Sequence, residues 1–376
     1  MKTKLSAKLL TVSLSALILL SGCAQTSPGS TANPSETQTT PGTTATEGSS
    51  ESAAVPSGDR TLLVYSTQGS GERGDWIVAR AKKDMNIDVQ FLSGGAGELA
   101  DRLRAEKNNP QADVVLGMIQ LSSYQLKNEG ILLPYTPKWA NGLPDVYKDK
   151  DGYFCSFWQT PVILAYNPNY ISPDKAPKSW LDLDKPEYKD KFNMGNLTSQ
   201  TTRTYIAGIL WNFYDPATGD ISQKGWDYLS NVYKNSRSQP VKNADEVWKL
   251  MSDGTAPLIL SWYGGVKTNT EANNISVQYV TPEKGTPVVA ETIAVVKGTK
   301  KEALAHEFID WFGSAQVMAD FARQFNQAPA HPDAIALCPD EIKKDATMFQ
   351  AQEIDWSVAA TKMDSWMEKI ELEIMP

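Results

Sequence analysis

A polar run at residues 196–203 is the segment of the sequence best suited to bind an anion. It comes directly before a helical pattern that we place at 204–213, and it contains four consecutive hydrogen-bonding side chains, those of Ser199, Gln200, Thr201 and Thr202. One hydroxyl is enough to cap a helix. The additional donors, together with the free N–H groups and dipole of a helix start, favour phosphate, phosphonate or carboxylate. Both interpretations, capping and anion binding, remain open.

Two loops nearer the N-terminus offer similar chemistry, because each follows an apolar run and precedes a helical pattern. Their candidate ligand contacts are Ser66, Thr67 and Gln68 in the first loop and Gly94, Gly95 and Ala96 in the second. Glycine lets the backbone approach a ligand closely, but it is also common in ordinary turns. Neither loop has a phosphate-binding lysine or a dinucleotide fingerprint, so no cofactor is expected.

Aromatic side chains could form a wall for a ring or a cation. The candidates are Trp158, Trp262 and Tyr263; the last two follow the buried-type strand Leu258–Leu260 and precede two glycines. The chain has 11 tryptophans, so some of them must simply pack in the core. Core packing therefore remains the alternative for all three.

Most catalytic and metal chemistries lack the residues that they need. There are two histidines and three cysteines, and no Gly-x-Ser-x-Gly elbow, which argues against nucleophilic catalysis and a zinc site. No Tyr-Tyr pair supports Fe(III) binding, and we expect both His306 and His331 at the surface. The 44 Asp and Glu residues leave paired carboxylates for glycoside hydrolysis as an open alternative. The net charge of −8, with no basic run, argues against nucleic acid.

The elements that would position these groups alternate between strand and helix. We place strands at 61–66, 87–92 and 113–117, with helices at 74–84 and 98–106 between them. The third strand is apolar throughout, as is typical of a parallel sheet that is covered on both faces. The pattern predicts a doubly wound α/β fold in which the loops at 66–71 and 93–97 meet at the carboxyl ends of the strands. Residues 300–376 are predicted to be helical.

The first 58 residues are expected to lie outside the folded body. Three lysines precede an apolar run at 9–20 that is too short to span a membrane, so residues 1–22 are predicted to be a signal peptide. The run ends in Leu-Ser-Gly-Cys, which resembles a bacterial lipobox with Cys23 as the acylated residue. Residues 23–58 are rich in Ser, Thr, Pro and Gly, which predicts a disordered, lipid-anchored linker.

Several motifs resemble the extracellular solute-binding proteins of ABC transporters, in particular the branch that binds ferric iron, thiamine, phosphonates and sugar phosphates. The motifs are the stretch 92–115, Pro177–Leu183, Tyr188–Phe192 and Pro282–Pro287. The resemblance implies a two-lobed type II periplasmic-binding fold with hinge crossings at 153–166 and 288–296. It places lobe one at 60–160 plus 290–376 and lobe two at 161–289.

The resemblance also implies a function. The chain would be a lipid-anchored, extracytoplasmic and monomeric receptor that captures a small polar, anionic solute in the cleft and delivers it to a permease and its ATPase. A receptor for ferric iron, thiamine or a polyamine is the alternative within this class, and a secreted lipoprotein hydrolase is the alternative outside it. Cys155 and Cys338 could form a disulfide in an oxidising compartment, which the sequence leaves open.

Overall fold

The computed structural model describes residues 59–239, 241 and 244–375. Its strands are β1 (Thr61–Ser66), β2 (Asp88–Ser93), β3 (Val114–Ile119), β4 (Leu132–Leu133), β5 (Cys155–Tyr166), β6 (Tyr214–Asp215), β7 (Asp220–Ile221), β8 (Leu258–Trp262), β9 (Gln278–Tyr279) and β10 (Val288–Val296). The predicted signal peptide, Cys23 and the linker lie outside the described residues.

Twelve α-helices are found in the described part of the chain, and they include the predicted C-terminal series. They are α1 (Gly71–Met85), α2 (Ala96–Ala105), α3 (Gln120–Asn128), α4 (Gln200–Trp211), α5 (Gln223–Asn235), α6 (Ala244–Ser252), α7 (Tyr263–Ala272), α8 (Glu302–Phe312), α9 (Ala315–Phe325), α10 (Pro332–Ala336), α11 (Asp340–Thr347) and α12 (Trp356–Lys369). None of the helices described is both long and apolar enough to cross a bilayer.

The main sheet follows the order β2-β1-β3-β10-β5-β8. β1 pairs in parallel with β2 and β3, which confirms the three predicted strands and the parallel arrangement. Helices α1 and α2 connect these strands, as a parallel crossover requires. The carboxyl ends of β1 and β2 therefore lie side by side, with Ser66 opposite Ser93.

Strands β5 and β10 form the centre of the molecule. β10 pairs antiparallel with β3 on one side and with β5 on the other. The first half of β5 pairs with β10 as far as Pro161, and its second half, from Val162, pairs with β8. β5 therefore changes partners at Pro161, and both predicted crossings are strands in the middle of the main sheet.

Separate apolar cores lie on the two sides of this crossing. Trp158, Phe312 and Phe321 belong to one core with β1 and β3, whereas Tyr205 and Trp366 belong to another with the second half of β5. Helix α12 packs against both α3 and α4. All the described residues fall in one compact unit, and the lobe boundaries stay a prediction.

The two cysteines in the described part of the chain are free thiols. Cys155 and Cys338 are both buried, and neither takes part in a disulfide. Burial raises the pKa of the Cys155 thiol to about 12, so it stays protonated at neutral pH. Cys338 donates to the carbonyl oxygen of Ala334 at 3.2 Å. Both side chains act as small apolar groups in the core.

Candidate functional site

A cavity of about 430 Å³ lies beside the crossing strands, where three helices begin. Its lining includes Thr160 and Pro161 of β5, Glu291 of β10, and the loop 326–328 after α9. Helices α1, α4 and α7 each contribute a residue from their first turn: Arg73, Thr201 and Tyr263. Helix N-termini carry free N–H groups and a partial positive charge. The cavity is therefore suited to an anionic group.

The predicted polar run forms the start of α4. The helix begins at Gln200, four residues earlier than predicted, because Ser199 is its N-cap: the Thr202 N–H donates to Ser199 Oγ at 3.4 Å. Thr202 is buried, and Thr201 faces the cavity. Ser199 therefore has the capping role, and of the four predicted side chains only Thr201 is found in the lining.

Trp262 and Tyr263 line the cavity at the start of α7. Trp262 is 48% exposed, and its ring occupies the space that a Cβ at Gly264 or Gly265 would need. The Tyr263 hydroxyl donates to Asp345 at 2.7 Å. Burial, and secondly this carboxylate, raise the pKa of Tyr263, so the phenol keeps its proton.

One cation of the cavity is already neutralised. Lys267, on α7, lies 2.8 Å from Asp345 Oδ2 and 2.8 Å from Glu341 Oε1. The Tyr263 hydroxyl donates to the same aspartate, so these side chains form hydrogen bonds and ion pairs with one another. They leave little positive charge for a solute on this wall.

Two charged residues of the lining, Arg73 and Glu291, are linked through Gln68, which is not itself a lining residue. Arg73 Nη1 donates to Gln68 Oε1 at 2.7 Å, and Gln68 Nε2 donates to Glu291 Oε2 at 2.8 Å. The Arg73 guanidinium also lies about 6 Å from the ring centroids of Trp158 and Phe325. Within the described residues Arg73 has no ion pair, since its hydrogen bond goes to a neutral amide.

The three predicted residues of the first loop, Ser66, Thr67 and Gln68, are absent from the cavity lining. Ser66 is fully buried and its Oγ accepts from the Gln68 N–H, while Thr67 Oγ1 donates to the Gly117 carbonyl. Gly117 has a φ of +90°, and a Cβ there would meet Thr67 Oγ1. These contacts fix the loop that carries Gln68.

The other two predictions concern the second loop and Trp158. Gly94, Gly95 and Ala96 form the start of α2 and are absent from the cavity lining. Trp158 is 2% exposed and lies in the core, directly across the β5–β10 ladder from Glu291. A solute contact at either place stays a prediction.

The sequence analysis missed all four charged residues of the cavity lining, which are Arg73, Lys267, Glu291 and Asp345. Glu291 is the one charged residue of β10, in the middle of a strand that is mostly apolar, and an acid in a buried strand is itself unusual. That signal was present in the sequence. Arg73 gave no comparable signal, because an arginine in the first turn of a helix usually faces solvent.

A larger cavity of about 820 Å³ lies on the other side of Trp262. Its lining is mostly apolar, with Leu197, Val247 and Leu260 among its members and Glu371 as its one charged residue. It also adjoins Val241, next to residues outside the described ranges. We therefore assign the candidate site to the smaller cavity, where polar and charged groups converge.

Comparison with known proteins decides the family. The family model of bacterial extracellular solute-binding proteins matches residues 76–350. The chain belongs to this family. A probable ABC transporter periplasmic-binding protein of Sinorhizobium fredii is 46% identical over 322 residues, which cover 86% of this chain and 88% of the relative. A putative 2-aminoethylphosphonate-binding periplasmic protein of Salmonella typhimurium is 28% identical over 193 residues, 49% of this chain and 52% of that protein.

Solved structures agree on the fold. The ferric binding protein of Campylobacter jejuni superimposes with a TM-score of 0.69 at 23% sequence identity, over 83% of this chain and 99% of that one. The two-lobed type II periplasmic-binding fold is thereby confirmed. This solute-binding protein is an extracytoplasmic component of an ABC transporter, and its family consists of transport proteins and not of enzymes. The hydrolase alternative is set aside.

Proposed function

We propose that this solute-binding protein captures a small polar, anionic solute in the 430 Å³ cavity and delivers it to a membrane permease. Phosphonates and sugar phosphates are the solute classes that fit best. The observation that carries the proposal is Arg73, a cation in the cavity without a carboxylate partner among the described residues. A guanidinium is well matched to phosphate or carboxylate.

The three helix starts support the same solute class. Each adds the partial positive charge of its first turn to the charge of Arg73. The solute-filled site would join residues from both sides of the crossing strands, since Arg73 lies before β5 and Thr201 after it. Binding would then favour closure of the two lobes about β5 and β10. The closed, loaded form is the one that the permease would recognise.

Ferric iron is a second candidate solute, because a structural neighbour is named as a ferric binding protein. The cavity gives it less support. Among the described lining residues there is one tyrosine, Tyr263, and no histidine. No group of three or more His, Cys, Asp or Glu side chains in the described ranges is arranged to hold a metal ion. Hard Fe(III) needs several oxygen ligands.

Native mass spectrometry of the purified protein, followed by a thermal-shift screen, tests the proposal. The probes are 2-aminoethylphosphonate, ethylphosphonate, glucosamine 6-phosphate, glucose 6-phosphate, thiamine, a polyamine and Fe(III). A solute that binds the native state raises its melting temperature. We expect one or more of the phosphorus-containing probes to do so. Stabilisation by Fe(III), thiamine or the polyamine alone would overturn the anionic-solute proposal.

Ser199 and Thr201 provide a matched pair of substitutions at the start of α4. Ser199→Ala removes the N-cap and should lower the free energy of unfolding by about 1 kcal/mol while leaving affinity for the stabilising phosphorus probe nearly unchanged. Thr201→Ala removes a neutral donor in the cavity and should weaken that probe by about 1 kcal/mol. Chemical denaturation and calorimetry measure the two effects. The reverse assignment of effects would contradict this division of roles.

The lipid anchor belongs to the same proposal. We expect Cys23 to be acylated after the signal peptide is removed, which would keep the receptor close to its permease. Cys23→Ala should move the protein from the membrane fraction to the soluble fraction of cells that express it. Immunoblotting of the two fractions measures this. Retention of Cys23→Ala in the membrane fraction would argue against acylation at this residue. We expect the loaded receptor to be a monomer.

A further inference from the structure

Glu291 is the second charge of the cavity without an ion pair among the described residues. It lies on β10, lines the cavity and accepts one hydrogen bond from Gln68. Arg73, the nearest cation, donates to the other end of the same amide. Glu291 is half-buried, and a carboxylate that has lost part of its hydration is costly unless a cation compensates it. Among the described residues Glu291 therefore has no direct ion pair, and the positive charge that acts on it is that of Arg73, on the far side of the Gln68 amide.

Gln68 keeps the two charges apart. Its amide oxygen accepts from Arg73 and its amide nitrogen donates to Glu291, so the guanidinium and the carboxylate do not form a pair. Gln68 is held in turn by Ser66, whose Oγ accepts from the Gln68 N–H at 2.9 Å. One wall of the cavity thus presents a positive and a negative group side by side.

We propose that Glu291 binds an ammonium group of the solute while Arg73 binds its anionic group, so that the transported compound is a zwitterion such as an amino-phosphonate or an amino-sugar phosphate. This inference rests on the proposed function and narrows its solute class. A simple anion would leave Glu291 uncompensated and would be repelled by it. Lys267 cannot serve as the compensating cation, since it is bound to Asp345 and Glu341.

The raised pKa of Glu291 agrees with a carboxyl group that has no cation bound to it among the described residues. Burial raises the pKa of this carboxyl to about 7, against the opposing effects of Trp158, Arg73 and Gln68. Of the other charged lining groups, Lys267 and Asp345 are paired with each other. A bound ammonium favours the carboxylate, so zwitterion affinity should fall as pH drops below about 7. The phosphorus group of the matched amine-free probe also takes up a proton at low pH, so the expected result is that the affinity of the amine-free probe falls less than that of the zwitterion.

Two pairs of probes that differ by one amine test the inference. They are 2-aminoethylphosphonate with ethylphosphonate, and glucosamine 6-phosphate with glucose 6-phosphate. In at least one pair the amine should tighten binding about tenfold to a hundredfold, the range for a hydrogen bond between charged groups. In the isosteric variant Glu291→Gln the preference for the amine should disappear. Glu307→Gln, an exposed acid paired with Arg60, should leave the preference unchanged.

The outcomes separate this inference from the proposed function. If an amine-free probe binds at least as tightly as its amine counterpart, or if Glu291→Gln keeps the preference, the zwitterion inference is wrong and the anionic-solute proposal stands. If no phosphorus probe binds, both are wrong. Circular dichroism of Glu291→Gln, compared with the unsubstituted protein, shows whether the variant is folded.

Discussion

Replacing Trp158 with alanine should lower the free energy of unfolding by about 3–5 kcal/mol, the range for a large aromatic side chain removed from a core. The indole is 2% exposed and packs against Phe157 and Phe321, with ring centroids 4.1 and 4.5 Å away. Urea denaturation followed by far-UV circular dichroism measures the change. Trp158→Phe keeps an aromatic ring in the core, so its free energy of unfolding should fall by less than that of Trp158→Ala.

The matched control is the half-exposed tryptophan of the cavity. Trp262→Ala removes a side chain that is 48% exposed, so its effect on stability should be within about 1 kcal/mol. Similar losses of stability for Trp158→Ala and Trp262→Ala would contradict the placement of Trp158 in the core. They would favour the alternative in which Trp158 faces the cleft.

Replacing Arg73 with alanine should weaken binding of 2-aminoethylphosphonate or glucosamine 6-phosphate, whichever probe the protein binds, by about 1.5–3 kcal/mol, because a charged hydrogen bond to the anion is lost. That loss corresponds to about a tenfold to hundredfold increase in Kd. Arg73→Lys keeps the charge but not the planar fork, so it should recover part of the affinity. Isothermal titration calorimetry measures the Kd of the probe for the unsubstituted protein, for Arg73→Ala and for Arg73→Lys.

Arg80 provides the control on the same helix. It lies near the other end of α1 and is paired with Asp84 and Asp320 instead of facing the cavity. Arg80→Ala should therefore bind the probe as the unsubstituted protein does. If Arg73→Ala also binds normally, the solute is not held by this arginine, and the argument for an anion at this wall fails.

The sequence predicts the elements of this fold well, because their signals are local. The apolar run at 61–66 and the crossing at 288–296 have the bounds that were predicted from them. Helix α4 is an instructive error: its predicted start at 204 ignored that Ser199 already caps the turn that begins at Gln200. The polar residues were taken for a loop, although most of them form the first turn of the helix.

The arrangement of the cavity could not be predicted in the same way. Gln68 and Glu291 are 223 positions apart in the chain, and their hydrogen bond depends on the sheet, in which β3 pairs with both β1 and β10. No periodicity encodes such a contact. The sequence located the loop of Gln68 and the start of α4 near a common cleft. It did not reveal that an amide would separate two opposite charges there.

The change of partners in β5 at Pro161 has a consequence for the free energy of lobe closure. Proline has no N–H, so a bend at this residue sacrifices no backbone hydrogen bond that Pro161 itself could donate. If the lobes close about β5 as we propose, little of the free-energy difference between the empty and loaded forms would be stored as strain in β5, and most of it would come from contacts with the solute. A compound that fits poorly would bind too weakly to stabilise the closed form. Selection among solutes would then take place before the transporter hydrolyses ATP.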